Sequence, residues 1–151
     1  MTIRSATPSD IPYLHHHWNA SGWEISLPDA AKQLERDDLF EFIIEVNGQT
    51  IGNIHYGLLE NNAAEIGIFI RNINEHGKGY GTQAINLMTN HLFNHCSYSE
   101  IVFNTATDNY SMRNIAEQKL KLTPILHENV LQEQDGSYAD YIEYRMTRSN
   151  P

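Results

Sequence analysis

Residues 74–84 read NEHGKGYGTQA: Gly77, Gly79 and Gly81 fall within one short loop, and a run with helical spacing comes after it. Glycine lacks a Cβ and populates positive φ readily, so at this density backbone amides can close around a ligand. A Walker A loop requires Gly, then Gly-Lys-Ser/Thr after four intervening residues, whereas here Lys78 precedes the last two glycines and the spacing fails. The dinucleotide pattern G-x-G-x-x-G/A is met formally by GYGTQA. That fingerprint, however, comes directly after a strand and is answered by an acidic residue closing the next strand. Residues 71–78 here separate Ile70 from Gly79, and the next strand offers Asn104 at its end. A glycine-rich surface loop without a ligand stands as the bland alternative.

Outward from the loop, the elements alternate. AAEIGIFI just before it reads as a strand, with Ile66, Ile68 and Ile70 on one face and Glu65, Gly67 and Phe69 on the other. After it, Ala84, Ile85, Leu87, Met88, Leu92 and Phe93 recur at helical spacing. Upstream, FEFIIEV and TIGNIHYGLLE flank Asn47-Gly48, a strong hairpin signal. TIRSAT reads as a first strand, PSDIPYLHHHW as a helix opened by Pro8, Ser9 and Asp10, and LPDAAKQLERDD as a second helix with Pro28 and Asp29 in its first turn. Downstream come EIVFNTA (strand), NYSMRNIAEQKL (helix), a strand around 125–131 and SYADYIEYRMT as the last strand. This order predicts a mixed α/β domain over residues 1–151, a central sheet flanked by helices with parallel and antiparallel pairs.

Composition bounds the function. The chain has 151 residues, 40 % hydrophobic and 19 % charged, as expected of one soluble globular domain. No apolar run approaches the roughly 20 residues needed to span a bilayer. The start, MTIRSATPSD, lacks the basic-then-apolar pattern of a signal peptide. A single cysteine, Cys96, excludes an internal disulfide framework, fits a cytoplasmic location and reads as packed in or beside the core. A formal net charge of −9 argues against nucleic acid or a membrane surface as partner. It is compatible with a cationic substrate and equally with solubility alone.

The pattern Arg/Gln-x-x-Gly-x-Gly/Ala, a few residues after a strand and opening a long helix, is the acetyl-CoA signature of the GNAT superfamily of N-acetyltransferases. This sequence resembles it in HGKGYGT, with His76 in the Arg/Gln place, Gly79 and Gly81 in the glycine places and Thr82 next. The resemblance extends through IRSATPSD, the VNGQTIG hairpin, AEIGIFI, and Asn109 ahead of a helix containing Glu117. It implies a GNAT fold, about six or seven strands with about four helices, splayed between the fourth and fifth strands, and acetyl-CoA as acetyl donor. The loop suits such a ligand: free N–H groups and the dipole at a helix start bind a pyrophosphate, and Gly77, Lys78, Gly79, Tyr80, Gly81 and Thr82 bring backbone and one positive charge to it. His76 departs from the pattern, since its charge depends on pH and it lacks the fork of arginine. The resemblance also places Phe69, Ile70 and Arg71 along the pantetheine arm, with Asn109 contacting the same arm. The alternative for Asn109 is a helix N-cap, which Asp108 or Asn109 would serve.

Acetylating an amine requires a neutral nucleophile, and a carboxylate can take the ammonium proton, directly or through water. Glu65 is the candidate base, by its likeness to the base-bearing strand of histone-acetylating members; an ordinary polar strand residue is the alternative. Relatives that place a glutamate on the fifth strand would have it near Asn104, which is no base. The family's tyrosine, seven residues beyond the asparagine, is replaced by Ala116, and a serine three residues beyond it by Met112. Ser111 and Tyr110 lie nearby but out of place, and Leu120-Lys121 replaces the Gly-Phe pair that often ends this helix, so the general acid is unassigned.

Consecutive helical residues point about 100° apart, so His15, His16 and His17 cannot converge on one metal ion and read as surface residues. Acceptor recognition in this fold falls to the first two helices, their loop, and the loop between the last two strands. Those regions offer Trp18, Trp23, Glu24, Asp29, Glu133, Asp135 and Asp140, an aromatic and acidic set suited to an amine-bearing cation. Both tryptophans could instead anchor helices to the core. The first helix and the YGTQAINLMTNHLF run resemble aminoglycoside 6'-N-acetyltransferases; AEIGIFI and DGSYADYIEY resemble the family acetylating ribosomal-protein N-termini and spermidine. The expectation is direct transfer of acetyl from acetyl-CoA to a primary amine of a small cation, with an N-terminal peptide as alternative acceptor and an acyl-CoA-binding sensor module as the non-enzymatic one. A homodimer is left open.

Overall fold

The computed structural model of the chain describes residues 1–20, 24–71, 75–133 and 135–148. In chain order these form β1 (Thr2–Ser5), a 3-10 turn (Pro8–Asp10), α1 (Ile11–Ala20), α2 (Leu27–Gln33), β2 (Leu39–Val46), β3 (Gln49–Leu59) and β4 (Ala63–Ile70). Next are α3 (Tyr80–Asn94), β5 (Glu100–Ala106), α4 (Tyr110–Asn114), a π-helical stretch (Ile115–Lys119), β6 (Ile125–Gln132) and β7 (Tyr138–Thr147). The strands make one seven-stranded sheet in the order β1-β2-β3-β4-β5-β7-β6. β4 and β5 are parallel, while β1-β2, β2-β3, β5-β7 and β6-β7 are antiparallel. The sheet thus has the mixed character read from the sequence.

Local chemistry explains the boundaries. Asn47 and Gly48 take φ of 51° and 76°, the two left-handed residues that a tight turn with the right strand twist needs. Ser26 caps α2 by accepting from the Asp29 N–H, with proline in the first turn. α2 is shorter than its sequence pattern: the Leu34 N–H already bonds back to Ala31 O at 3.2 Å, a tightened last turn, and Arg36 pairs with Asp38 at 2.8 Å beyond it. The helix expected over NYSMRNIAEQKL also divides. Its second half is π-helical, closed by Leu120 N to Ile115 O at 2.9 Å.

The chain falls into two compact units, residues 1–58 with 68–87 and residues 59–67 with 88–151. In the first, Leu14, Trp18, Ala30 and Ile43 form a buried cluster from α1, α2 and β2, with Ala6, Ile11, Tyr13, Ile25 and Leu34 packed around it. In the second, Leu92 of α3, Ile101 and Phe103 of β5, Ala116 of the π-helical stretch and Tyr144 of β7 are buried. Two irregularities interrupt the strand pairing. The β2–β3 register steps from Ile44↔Gly52 to Glu45↔Thr50, leaving Ile51 as an extra residue. The β4–β5 ladder covers Ala63↔Glu100 to Ile66↔Phe103, yet β4 continues to Ile70 and β5 to Ala106. The pairing therefore stops before either strand does.

Candidate active site

The glycine loop enters α3 through two left-handed residues, Gly77 at φ 78° and Gly79 at φ 84°. Gly81 is different: it sits in the first turn of α3 and is not in the left-handed region. The first turn closes with Gln83 N to Gly79 O at 3.0 Å, so the amides of Tyr80, Gly81 and Thr82 precede it and point along the helix start. His76 donates from Nε2 to the Ile70 carbonyl at 2.6 Å, tying the loop to the end of β4. Lys78 reaches Glu75 at 3.2 Å, so its positive charge is partly matched within the loop.

The end of β4 is shaped by its neighbour strand. A Cβ on Gly52 would lie 2.1 Å from the Phe69 carbonyl oxygen and 3.1 Å from the Ile70 Cα, so only glycine permits this approach. Arg71 N donates to Ile51 O at 2.9 Å, which fixes the extra residue of β3 against β4. The Arg71 guanidinium lies 5.1 Å from the ring centroid of Tyr13, and Phe69 is 45 % exposed. Gly52 belongs to the hairpin motif of the sequence, but its contact with Phe69 emerges only from the register.

In the other unit, Glu65 stands opposite Val102 on β4, half-buried, with no hydrogen-bond or ion-pair partner for its carboxylate among the described residues. Asn104 is exposed, opposite Glu143 of β7. Asn109 caps α4, its Oδ1 accepting from Met112 N at 3.2 Å, which leaves its Nδ2 donor outside the cap. Tyr144 donates to Glu117 Oε2 at 2.7 Å, and Arg113 Nε reaches the same oxygen at 3.1 Å. Burial, then the bond to Glu117, pushes the Tyr144 phenol up to about 12. Asp140 is engaged structurally: its carboxylate accepts from Asn129 N at 2.8 Å, where Asn129 takes a positive φ at the irregular part of β6.

Of the acceptor candidates in the first two helices, Trp18 is only 7 % exposed and belongs to the core cluster. Trp23 lies outside the described residues. Glu24 is exposed and lines a shallow depression with Ile25, Ser26, Asp29, Lys32 and Gln33. The histidine run corrects one expectation. His16 is exposed, but His17 is buried, because the helical step carries it onto the Leu14–Trp18 side, where its ring lies 4.4 Å from that of Phe69. His15 Nε2 lies 2.8 Å from Ile25 O. Among the described residues no cluster of histidine, cysteine and carboxylate side chains could hold a metal ion.

The sequence reading missed a polar cluster on the β2–β3 hairpin. The Glu41 side chain is 5 % exposed and accepts from Asn53 Nδ2 at 2.8 Å, while its other oxygen lies 3.9 Å from His55 Nδ1. Burial pushes the Glu41 carboxyl up to about 7, against the opposing pull of the Asn53 bond. Burial, with His17 adding to it, pushes His55 down to about 4. The alternation puts Glu41 on one face with Ile43, and the register sets Asn53 and His55 opposite them; that this face turns inward is decided by packing.

A family model for an acetyltransferase (GNAT) domain matches residues 1–119. A mutant of the spermidine N-acetyltransferase SpeG from Vibrio cholerae superposes with TM-score 0.84 at 18 % identity, covering 99 % of this chain and 96 % of that one. RimL, a ribosomal L7/L12 alpha-N-protein acetyltransferase solved with Coenzyme A, gives TM-score 0.80 at 19 % identity over 96 % and 92 % of the two chains. A ribosomal-protein-alanine N-acetyltransferase from Brucella melitensis gives 0.81 at 19 % identity over 97 % and 99 %. No curated protein sequence matches the chain. Among the described residues no helix is long and apolar enough to cross a membrane.

Proposed function

This chain belongs to the GNAT family of acetyltransferases, and we propose that it transfers acetyl directly from acetyl-CoA to a primary amine of a small cationic molecule, of the polyamine or aminoglycoside kind, in the cytoplasm. It is an acyltransferase, and members of its family draw the acetyl group from acetyl-CoA. The observation that carries the reading is the early end of the β4–β5 ladder at Ile66↔Phe103, on a strand that leads through left-handed Gly77 and Gly79 into the start of α3. The pantetheine arm of coenzyme A needs strand-edge groups to bond along its amides, and its pyrophosphate needs an amide-rich helix start.

In this reading the backbone of Phe69, Ile70 and Arg71 lines the pantetheine arm. The amides of Gly77 to Thr82 take the pyrophosphate, and the Asn109 Nδ2 reaches the arm while Oδ1 caps the helix. His76 acts by position: bound to the Ile70 carbonyl, it sets the loop against the strand end instead of supplying an arginine-like fork. Glu65 accepts the ammonium proton, which its unpartnered carboxylate is free to do. The amine lone pair then attacks the thioester carbonyl, a C–N bond forms, the C–S bond breaks, and the departing thiolate takes a proton from water. The exposed Glu24 and the net charge of −9 are compatible with a cationic acceptor, although Lys32 of the same depression lies 3.8 Å from Asp29.

Thiol release from acetyl-CoA, measured over a panel of polyamines, aminoglycosides and N-terminal peptides, tests this. Turnover on a polyamine or aminoglycoside is expected; turnover confined to peptides would overturn the acceptor class, and cofactor binding without turnover on any amine would overturn direct transfer.

A further inference from the structure

The Glu41 carboxylate lacks what a buried carboxylate ordinarily has. Among the described residues no lysine or arginine pairs with it, and its one hydrogen bond comes from a neutral amide, Asn53 Nδ2. Buried acidic groups are normally matched by a cation or by several donors. Asn53 is itself 1 % exposed, and its Oδ1 is buried with no hydrogen-bond partner. A buried acceptor without a donor is uncommon enough to require a reason. The register sets Glu41 opposite His55 and Ile43 opposite Asn53, so all three polar side chains share one face of the hairpin. His55 Nδ1 is 3.9 Å from Glu41 Oε2, beyond hydrogen-bond reach, and the His55 side chain is 30 % exposed, which opens the cluster on that side. The other groups packed toward it are His17 of α1 and, against His17, Phe69 of β4.

A free carboxylate oxygen, an amide oxygen with no donor and a neutral imidazole are acceptors. A primary ammonium carries three N–H donors and one positive charge. We infer that Glu41, Asn53 and His55 form a binding site for a primary ammonium group, with Glu41 as counter-ion, Asn53 Oδ1 as a neutral acceptor, and the exposed edge at His55 as the way in for the alkyl chain. As a binding site it stands independently of the reaction; that the ammonium bound is the acceptor's rests on the function proposed above. The desolvated carboxyl, poised near neutrality, is what such a site looks like before its cation arrives: the incoming charge supplies the partner that the fold withholds, and it draws the carboxyl into its ionised form.

The test uses the whole protein and two probes of equal length, 1,4-diaminobutane and 1,4-butanediol, monitored by the side-chain amide resonances of Asn53 in nitrogen–proton correlation spectra at pH 7.5. The diamine should shift the Asn53 amide in a saturable manner and the diol should not, a comparison that requires no variant. Glu41→Gln should weaken the diamine at least tenfold while leaving acetyl-CoA binding unchanged. Equal response to the diol, diamine shifts that bypass Asn53, or unchanged affinity in Glu41→Gln would each overturn the site. Saturable diamine binding at Asn53 with no acetylation of any amine would keep the site and refute the proposed reaction. Acetylation of a diamine with an unchanged KM in Glu41→Gln would do the reverse.

Discussion

Replacing Glu41 with glutamine deletes a buried charge while keeping shape and the oxygen that accepts from Asn53, so its stability effect should depend on pH in a calculable way. The carboxyl moves from an ordinary 4.5 in the unfolded chain to about 7 in the fold. At 1.36 kcal/mol per pH unit that difference is worth roughly 3 kcal/mol. Proton counting gives the sign. Between those two values the unfolded chain has lost the proton and the native one holds it, so native stability falls as pH rises through the window and is level above it. His55 is displaced in the opposite direction and so loses stability as pH falls below its ordinary 6.5, but it does so in both proteins and drops out of the difference. Urea unfolding of wild type and Glu41→Gln at pH 4.5, 6 and 8 measures it. The variant should be close to wild type at pH 4.5 and more stable by up to about 3 kcal/mol at pH 8, with 1,4-diaminobutane narrowing the gap by stabilising only the wild type. Parallel stability curves, or a variant that becomes less stable as pH rises, would show that Glu41 is ionised and satisfied in the fold, and the ammonium site would go with it.

Glu65→Gln should leave folding and acetyl-CoA affinity intact and lower kcat by roughly a hundredfold at neutral pH, with partial recovery at higher pH as more amine arrives neutral; steady-state kinetics against pH checks it, and an unchanged kcat moves the base elsewhere. Gly79→Ala should weaken acetyl-CoA about tenfold by titration calorimetry. The strain of a left-handed alanine, about 1–2 kcal/mol, is the cause, since a Cβ there meets nothing closer than Gln83 Nε2 at 4.0 Å. Gly52→Ala should destabilise the fold by about 1–3 kcal/mol, toward the upper end because the obstacle at 2.1 Å is the Phe69 backbone. It should also raise the KM for acetyl-CoA, and a thermal melt matching wild type would show that β3 and β4 do not approach so closely.

What the sequence disclosed and what it withheld divide along a physical line. Local chemistry was legible: Asn47-Gly48 specifies its own turn, Ser26 its own cap, and the glycine loop its own handedness at Gly77 and Gly79, because each depends on residues a few places away. AAEIGIFI and EIVFNTA were bounded to the residue, since both lie in the middle of the sheet and carry continuous β-rich runs. Features set by pairing partners were not legible. The Gly52 approach to Phe69 depends on the extra residue Ile51, which no local pattern marks. The burial of Glu41 and Asn53 arises because their hairpin face lies on the side of Ile43, a choice made by packing and not by the alternation, which would allow either face inward. The triple histidine shows the same limit: helical geometry excluded a shared metal ion, but which of the three turned inward depended on where Leu14 and Trp18 found their core.

The proton for the departing thiolate is the step for which this chain provides least. Ala116 stands where the resemblance to the superfamily would place a tyrosine, and it is fully buried within the π-helical stretch. The hydroxyls nearest in sequence do not replace it: Tyr110 is 72 % exposed at the start of α4, and Ser111 is exposed beside it. Tyr144 is already committed, donating to a carboxylate that Arg113 also holds, and with its phenol pushed up to about 12 it would surrender a proton only to a strong base. A thiolate whose conjugate thiol resembles that of cysteine, about 8.5, is a much weaker base than that phenolate. Proton transfer from Tyr144 to it would therefore be uphill by roughly three pH units or more. A thiolate of that basicity does not require protonation within the transition state, because it leaves acceptably as an anion and water protonates it afterwards. The demanding proton is then the one on the acceptor amine, which starts near 10.4 for a lysine-like ammonium and must be removed before attack. Catalytic effort in such an enzyme belongs with its carboxylates, and the two to be tested are Glu65 on β4, half-buried and without an ion-pair partner among the described residues, and Glu41 on β2, buried and without a lysine or arginine partner among them.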